Sequence, residues 1–221
     1  ISANLYRLHK GDTEAVLEDF YEPDCPTVHI ALDVRLTPPQ NAQKYYQAYK
    51  KACTAEKILT EQIAKGREEL AYLDSVLDAL SRAASENDLE QLRAELAEQG
   101  YLRLLRRKGK PLKCLPPMEF TASDGTRILV GRNNRQNDKL TLKDADYRDL
   151  WFHVQKLHGS HVILCTNGGE PGDQDITEAA GLAAYYSQAK DSANVPVDCT
   201  QVKYVKKPAG ARPGMVMLLL T

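Results

Sequence analysis

The chain has 221 residues, of which 43% are hydrophobic and 27% are charged, and its net charge at pH 7 is −1. This composition is typical of a soluble globular protein, and it excludes a uniformly basic nucleic-acid-binding chain, so any affinity for RNA or DNA must come from a local patch. No apolar run approaches the roughly 18 residues that a membrane helix needs, so we expect no membrane partner. The five cysteines lack CxxC spacing, which argues against a disulfide framework or a zinc ribbon and predicts a cytoplasmic location.

Residues 1–38 carry a net charge of −4 and contain one predicted short helix, SANLYRL, and two predicted strands, AVLEDFY and VHIAL. Their apolar surface is too small for an independent domain. The opening residues have neither an initiator Met nor a signal-peptide pattern. We therefore expect the chain to be part of a longer protein, with residues 1–38 forming the end of a preceding domain.

Residues 39–108 are predicted to form a long helical hairpin. Apolar residues recur at alternating steps of three and four from position 42 to position 84, which indicates a coiled-coil seam. Asn87 and Glu90 have capping-box spacing and predict an antiparallel second helix, which stops near Arg107 and covers only the distal half of the first. The proximal seam around Tyr45 must then pair elsewhere, and the hairpin is either a spacer or an arm that touches a large partner. The predicted distal seam contains Leu70, Leu73, Leu77 and Leu80.

A basic run follows the hairpin. Residues 101–117 hold six basic residues and no acidic one, whereas two or three would be enough to complement the dipole at a helix C-terminus. The excess favours contact with phosphate, and a solvated linker is the alternative. The candidate RNA-contact residues here are Arg106, Arg107 and Lys108, and residues 109–117 are predicted to form a linker because prolines break the helix.

Residues 118–221 are predicted to form a sheet domain. Asp124-Gly125 between two apolar stretches is a hairpin signal, and LWFHV, HVILCT and VDCTQVKYV have the composition of strands. DITEAAGLAAYYSQAK has the pattern of an amphipathic helix. The expected fold class of the whole chain is therefore α+β, with a long antiparallel helical hairpin followed by a mostly antiparallel sheet that carries one long packed helix.

The sequence lacks the common motifs for nucleotide hydrolysis, hydride transfer and hydrolytic catalysis. His153, His158 and His161 fall within nine residues, but no cysteine or carboxylate stands at ligand spacing, so we expect no metal and no cofactor. Ser160 and His161 point to opposite faces of a strand and cannot form a nucleophile–base pair. We therefore expect no catalytic residue, and His153, Ser160 and His161 either satisfy neighbouring backbone or contact RNA.

The run GRNNRQNDKL, residues 131–140, concentrates hydrogen-bonding side chains. Its four amides and three basic residues can close a turn and cap a helix, or they can face phosphates and base edges. Asn133 or Asn134 is expected to cap a short helix, and Asp138 is expected to pair locally. The loop YVKKPAGARPGM is either a solvated tip or a phosphate contact. The candidate RNA-contact residues in these two segments are Arg132, Asn133, Asn134, Arg135, Gln136, Asn137, Lys206, Lys207 and Arg212.

Four motifs in order resemble the NFACT-R domain: DGTRILVGRNNRQND, DLWFHVQ with HGSHVIL, EAAGLAAYYSQAK, and VDCTQVKYVKKPAGARPGMV. The upstream segment LTPPQNAQKYYQAYKKA, followed by the helical hairpin, resembles the end of the NFACT-N domain and the coiled-coil middle of the same family. The resemblance covers nearly the whole chain. His158 stands where the family usually has Pro before GSH, and we expect this to loosen the turn.

The resemblance implies a function in ribosome-associated quality control. Members of the family, historically described as fibronectin- or fibrinogen-binding, bind the large ribosomal subunit obstructed by peptidyl-tRNA. They recognise alanine tRNA and support the addition of alanines to the stalled chain. The resemblance also implies that the NFACT-R domain binds RNA, either tRNA or rRNA, and that peptide-bond chemistry belongs to the ribosome. The residues that select tRNA would belong to an N-terminal body outside this sequence.

Two other functions stand beside this one. A surface adhesin that binds fibronectin is one, although the lack of a signal peptide, an anchor and disulfides argues against it. A structural arm that assembles through the proximal seam is the other.

Overall fold

The computed structural model describes residues 1–103 and 115–219. The candidate residues Arg106, Arg107 and Lys108 lie outside the described residues. The chain forms two compact units, Ile1–Arg67 and Glu68–Thr221, and the division falls inside a helix. The domain boundaries inferred from sequence stay predictions. None of the described helices is long and apolar enough to cross a membrane.

The first unit begins with a 3₁₀ helix, Ser2–Arg7, where the sequence predicted a short helix. Strands β1 (Glu14–Glu18) and β2 (Thr27–Ala31) then pair in antiparallel fashion. Ala15, Leu17 and Leu32 are the buried residues of a small apolar cluster here, which agrees with the limited apolar surface expected of this segment.

The helical hairpin consists of α1 (Pro38–Ser81) and α2 (Glu86–Glu98). The N-cap of α2 is Ser85, whose hydroxyl accepts a hydrogen bond from the Asp88 amide, while the Asp88 carboxylate accepts one from the Ser85 amide. The predicted capping box at Asn87 and Glu90 is therefore wrong by two residues. Ser85 has the extended backbone (φ −136°) that an N-cap requires, whereas Asn87 already lies within the helix.

The seam of the hairpin has a different register from the predicted one. Tyr72, Val76 and Ala79 are buried with Leu92 of α2, whereas three of the predicted distal seam residues are exposed. These exposed residues are Leu70, Leu77 and Leu80. Two neighbouring stripes of α1 both follow steps of three and four. The stripe that contains Tyr72 is buried because it also packs on Tyr101 and Met215 of the same unit.

The second unit contains a five-stranded antiparallel sheet, which confirms the predicted α+β fold class. The strands lie in the order β3-β4-β6-β5-β7. They span β3 (Met118–Thr121), β4 (Arg127–Val130), β5 (Leu150–Val154), β6 (Val162–Leu164) and β7 (Val197–Gln201). Asp124 and Gly125 lie in the turn between β3 and β4, as predicted, and Gly125 has φ +93°. The loop is longer than the two residues that the sequence signal predicted, because the Ala122 amide bonds to the Thr126 carbonyl across it.

Both faces of the sheet are covered, because successive strand residues point to opposite sides. Phe152 and Val162 face the long helix α4 (Asp173–Tyr185). Trp151 and Ile163 face the other layer. That layer contains the short helix α3 (Asn134–Lys139), the π-helical turn Leu140–Asp144, and a ribbon of β8 (Val205–Lys206) and β9 (Met217–Leu218).

Candidate RNA-contact surface

The run GRNNRQNDKL begins where β4 ends and folds back on itself. Gly131 lies so close to Asn137 that a Cβ at this position would stand 2.0 Å from the Asn137 Oδ1. The Ser160 Oγ donates to the Gly131 carbonyl oxygen at 2.6 Å. Asn133 is the N-cap of α3 and accepts a hydrogen bond from the Gln136 amide at 2.9 Å, which confirms the expected cap.

Asn137, Thr141 and His161 form a buried polar group on the inner side of this run, and the half-buried His153 lies beside His161. The Asn137 Oδ1 accepts from the His161 amide at 3.2 Å, and the His161 Nδ1 lies 2.8 Å from the Thr141 hydroxyl. Burial holds the pKa of His161 well below its ordinary value and also lowers the pKa of His153. His153 stacks on Trp151, with ring centroids 5.6 Å apart. Burial therefore favours the neutral form of both imidazoles, which carries no positive charge for phosphate.

No group of three or more His, Cys, Asp or Glu side chains arranged to hold a metal ion occurs in the part of the chain that the structure describes.

The amides of Asn133 and Asn134 face the helical hairpin rather than solvent. Asn134 Nδ2 donates to the Ser75 hydroxyl at 2.8 Å and to the Glu95 carboxylate at 3.2 Å. Asn133 Nδ2 donates to the Gln91 side-chain oxygen at 2.8 Å. These bonds join the start of α3 to both helices of the hairpin within the second unit.

Glu95 lies at the centre of this contact, with 1% of its surface exposed. Its Oε1 accepts from the Tyr72 hydroxyl at 3.0 Å as well as from Asn134, while its Oε2 has no hydrogen-bond partner among the described residues. Burial raises the pKa of this carboxyl group, because the charged form loses its hydration.

Arg132 and Gln136 hold the segment that leads into β3. The Gln136 Oε1 accepts from the Arg132 amide at 2.7 Å, and its Nε2 donates to the Leu115 carbonyl at 2.8 Å. The Arg132 Nε donates to the Pro116 carbonyl at 3.0 Å. Arg135 instead lies at the surface and forms an exposed ion pair with Glu98 at 3.2 Å.

The loop after β8 closes the same junction. Lys207 forms an ion pair with Asp138, and its Nζ also donates to the Arg212 carbonyl at 3.0 Å. The other Asp138 oxygen accepts from the Gly214 amide at 3.1 Å. Asp138 therefore bonds to residues about 70 positions away in the chain, and the expectation that it pairs locally is wrong.

Arg212 extends from this loop onto the hairpin. Its guanidinium lies 5.3 Å from the ring centroid of Tyr72 and 5.6 Å from that of Tyr101, and its Nη1 donates to the Gln99 side-chain oxygen at 2.8 Å. A planar cation that lies over two aromatic rings stabilises the loop against the hairpin.

The predicted motifs thus converge, but they converge on an internal polar junction between the hairpin and the sheet domain. Five of the candidate RNA-contact residues are buried: Asn133, Asn134, Asn137, Ser160 and His161. Each of them bonds to its own chain and exposes little surface to a ligand, so the structure gives them a structural role, and their direct contact with RNA stays a prediction. RNA contact stays a prediction for Arg132, Arg135, Gln136, His153, Lys206, Lys207 and Arg212.

A further group of residues lies at one end of the β5–β7 strand pair, and only its Lys206 was among the candidates named from the sequence. The short 3₁₀ helix Val202–Tyr204 follows β7, and its Lys203 amide donates to the Tyr147 carbonyl at 3.1 Å. The following strand, β8, packs against the turn Leu140–Asp144. The group comprises the exposed residues Lys143, Tyr147, Lys203 and Lys206 and the half-buried Tyr204, and it is called the tyrosine–lysine patch below. The signal in the sequence was the adjacency of Tyr and cations in DYRD and VKYVKK.

Residues 1–113 match the model of the NFACT N-terminal and middle domains, and residues 117–218 match that of the NFACT protein RNA binding domain. The chain is 44% identical over 219 residues to a Bacillus subtilis protein named Rqc2 homolog RqcH, covering 98% of this chain and 38% of that protein. A protein of the same name from Streptococcus suis is 41% identical over 217 residues, with the same coverage.

A solved structure is also similar. It is the C-terminal part of the fibronectin/fibrinogen-binding protein from Streptococcus suis, with 43% identity and a TM-score of 0.74. The match covers 82% of this chain and 73% of that one. This chain spans 38% of the length of the two relatives named above.

Proposed function

We propose that this chain, which belongs to the NFACT family, is the RNA-binding C-terminal part of a ribosome-associated quality-control factor. The observation that carries the proposal is the match of residues 117–218 to the NFACT RNA-binding domain. The finer proposal is that the whole protein binds the large ribosomal subunit obstructed by peptidyl-tRNA, engages tRNA (alanine tRNA by family resemblance) and supports alanine tailing in the cytoplasm.

The distribution of charge supports RNA binding by the second unit. Residues 118–221 hold twelve basic and twelve acidic residues, so binding requires cations that are not neutralised by neighbours. Lys143, Lys203 and Lys206 are exposed, and no carboxylate pairs with them among the described residues. By contrast, Lys139 forms an ion pair with Asp144.

The proposal assigns no catalytic step to this chain. Peptide-bond formation during tailing would belong to the ribosome. The contribution of this chain would be to hold RNA through phosphate contacts.

Salt dependence of RNA affinity tests the proposal. The affinity of the chain for tRNA and for large subunits should fall linearly on a log–log plot, with a slope of about −0.7 to −0.9 for each phosphate that is neutralised. Lys203→Ala should reduce the slope by about one phosphate contact. The matched control is Lys139→Ala, which removes the same charge from an existing ion pair and should leave the slope unchanged. Absence of binding to either RNA at low salt would refute the proposal.

Fibronectin binding is a second candidate, favoured by the description of the solved relative as a fibronectin/fibrinogen-binding protein. Binding of the RNase-treated chain to immobilised fibronectin would test it. Affinity that survives physiological salt would support this candidate, and affinity that disappears there would reduce it to weak charge attraction.

A further inference from the structure

We propose that the tyrosine–lysine patch binds unpaired nucleotides of single-stranded RNA, with a base stacked on Tyr147 and phosphates held by the neighbouring lysines. The inference rests on the proposed RNA-binding function and adds the site and the class of RNA. The patch is a different surface from the polar junction, in which the side-chain amides of Asn133 and Asn134 already bond to the hairpin.

Two tyrosine–cation pairs meet at this end of the sheet. The Arg148 guanidinium lies 5.2 Å from the Tyr147 ring centroid, and the Lys203 ammonium lies 4.8 Å from that of Tyr204. The hydrogen bond from the Lys203 amide to the Tyr147 carbonyl joins the two pairs. The backbone thus holds the two tyrosine–cation pairs on adjacent segments.

Tyr147 has the exposure that a stacking platform needs. Its surface is 61% exposed, although Tyr is a large and partly apolar residue. A cation on one ring face leaves the opposite face open to a flat ligand. Trp151, four residues along the chain, shows the contrasting case, because it is only 2% exposed and is packed into the core.

The carboxylates near Tyr147 are held by partners of their own. Arg148 is held by Asp146 through two hydrogen bonds of 3.0 and 3.3 Å, which fixes the guanidinium beside the ring. The nearby Asp149 is buried and accepts from the Asn167 and Asp146 amides. Lys203 is exposed, and no carboxylate among the described residues forms an ion pair with it. The local carboxylates are therefore engaged, whereas the lysines of the patch remain available for phosphate.

The aromatic rings select single strands over duplexes. In a duplex the base faces are covered by their neighbours, so a tyrosine can stack only on an unpaired base. Lysines alone would bind both forms through phosphate. The expected signature of the patch is therefore an aromatic contribution that applies to single-stranded RNA and is absent with duplex RNA.

Fluorescence anisotropy with the whole chain tests this, using a labelled short oligouridine and a blunt RNA duplex of equal length. Tyr147→Leu should weaken binding of the single strand roughly 5- to 150-fold, the equivalent of losing one stacked base. It should change duplex affinity by less than about twofold, and Tyr147→Phe should retain single-strand affinity because the ring is kept. The matched control is Tyr185→Leu. Tyr185 is the last residue of α4, is 50% exposed, and has the Lys190 ammonium 4.7 Å from its ring centroid, so it is a second exposed tyrosine–cation pair outside the patch.

The outcomes separate this inference from the proposed function. Unchanged single-strand affinity of Tyr147→Leu, or an equal loss on duplex RNA, would overturn the stacking site while RNA binding stands. An equal loss in Tyr185→Leu would overturn the assignment to this patch. A wild-type chain that binds tRNA but not the single strand also refutes the inference alone, whereas one that binds no RNA at low salt refutes both.

Discussion

Replacing Asn134 by Ala should destabilise the second unit by about 3 kcal/mol. The substitution removes one hydrogen bond to the neutral Ser75 hydroxyl and one to the Glu95 carboxylate. A neutral bond contributes roughly 1 kcal/mol and a bond to a charged group roughly 1.5–3 kcal/mol, so the sum is about 2.5–4 kcal/mol. For a unit of this size such a loss corresponds to a fall in Tm of roughly 5–16 °C.

Arg135→Ala is the matched control, one residue along the same helix. The Arg135–Glu98 ion pair is 3.2 Å long, and its side chains are 46% and 58% exposed. Exposed ion pairs contribute at most about 1 kcal/mol. The two neighbouring substitutions should therefore differ by about 1.5 kcal/mol or more.

Urea unfolding followed by tryptophan fluorescence provides the measurement. Trp151 is the single Trp of the chain and is buried in the second unit, so its emission reports that unit alone. A loss in Asn134→Ala no larger than that in Arg135→Ala would refute the structural role of the amide. RNA affinity gives a separate check: a folded Asn134→Ala should bind RNA within about twofold of wild type. A loss of about tenfold would instead place Asn134 at the RNA.

Three further substitutions probe the junction and the hairpin. The pKa of Glu95 is higher in the folded protein than in the unfolded chain, so protonation of this carboxyl group stabilises the fold. This stabilisation is complete below the pKa of the unfolded chain and is lost as pH rises through the pKa of the folded protein. Glu95→Gln should therefore flatten the dependence of the urea midpoint on pH above about pH 4.5, and an unchanged profile would contradict the assignment. Gly214→Ala should lower Tm, because φ is +79° and the added Cβ would stand 2.6 Å from the Asn134 Oδ1. Ser85→Ala should cost about 1 kcal/mol through loss of the α2 cap, measured by the same unfolding assay.

Local patterns predicted the elements that depend on neighbours in sequence. Strand alternation and helical periodicity correctly indicated the sheet and α4, because these patterns reflect which side chains must be buried. The hairpin at Asp124-Gly125 and the cap at Asn133 were also found, since a turn and an N-cap are each completed within about four residues.

Patterns that depend on distant partners were not predicted. The distal seam was placed one stripe away because Tyr72 owes its burial partly to Tyr101 and Met215, which no helical periodicity encodes. Asn134 likewise bonds to Ser75 and Glu95, which lie 59 and 39 residues away. An amide has the same appearance in a sequence whether its partner is a base edge or another helix.

This ambiguity explains why the residues that identify the family need not be those that contact RNA. A buried amide such as Asn134 must satisfy its hydrogen bonds with fixed geometry, so few other residue types fit its position. A surface that stacks bases and attracts phosphates requires only an exposed ring and unpaired cations, which Tyr147 and Lys203 provide without a strict spacing. The recognisable motif therefore marks the junction that holds the hairpin to the domain, while charge and aromatic exposure, which become visible only in the fold, mark the candidate binding surface.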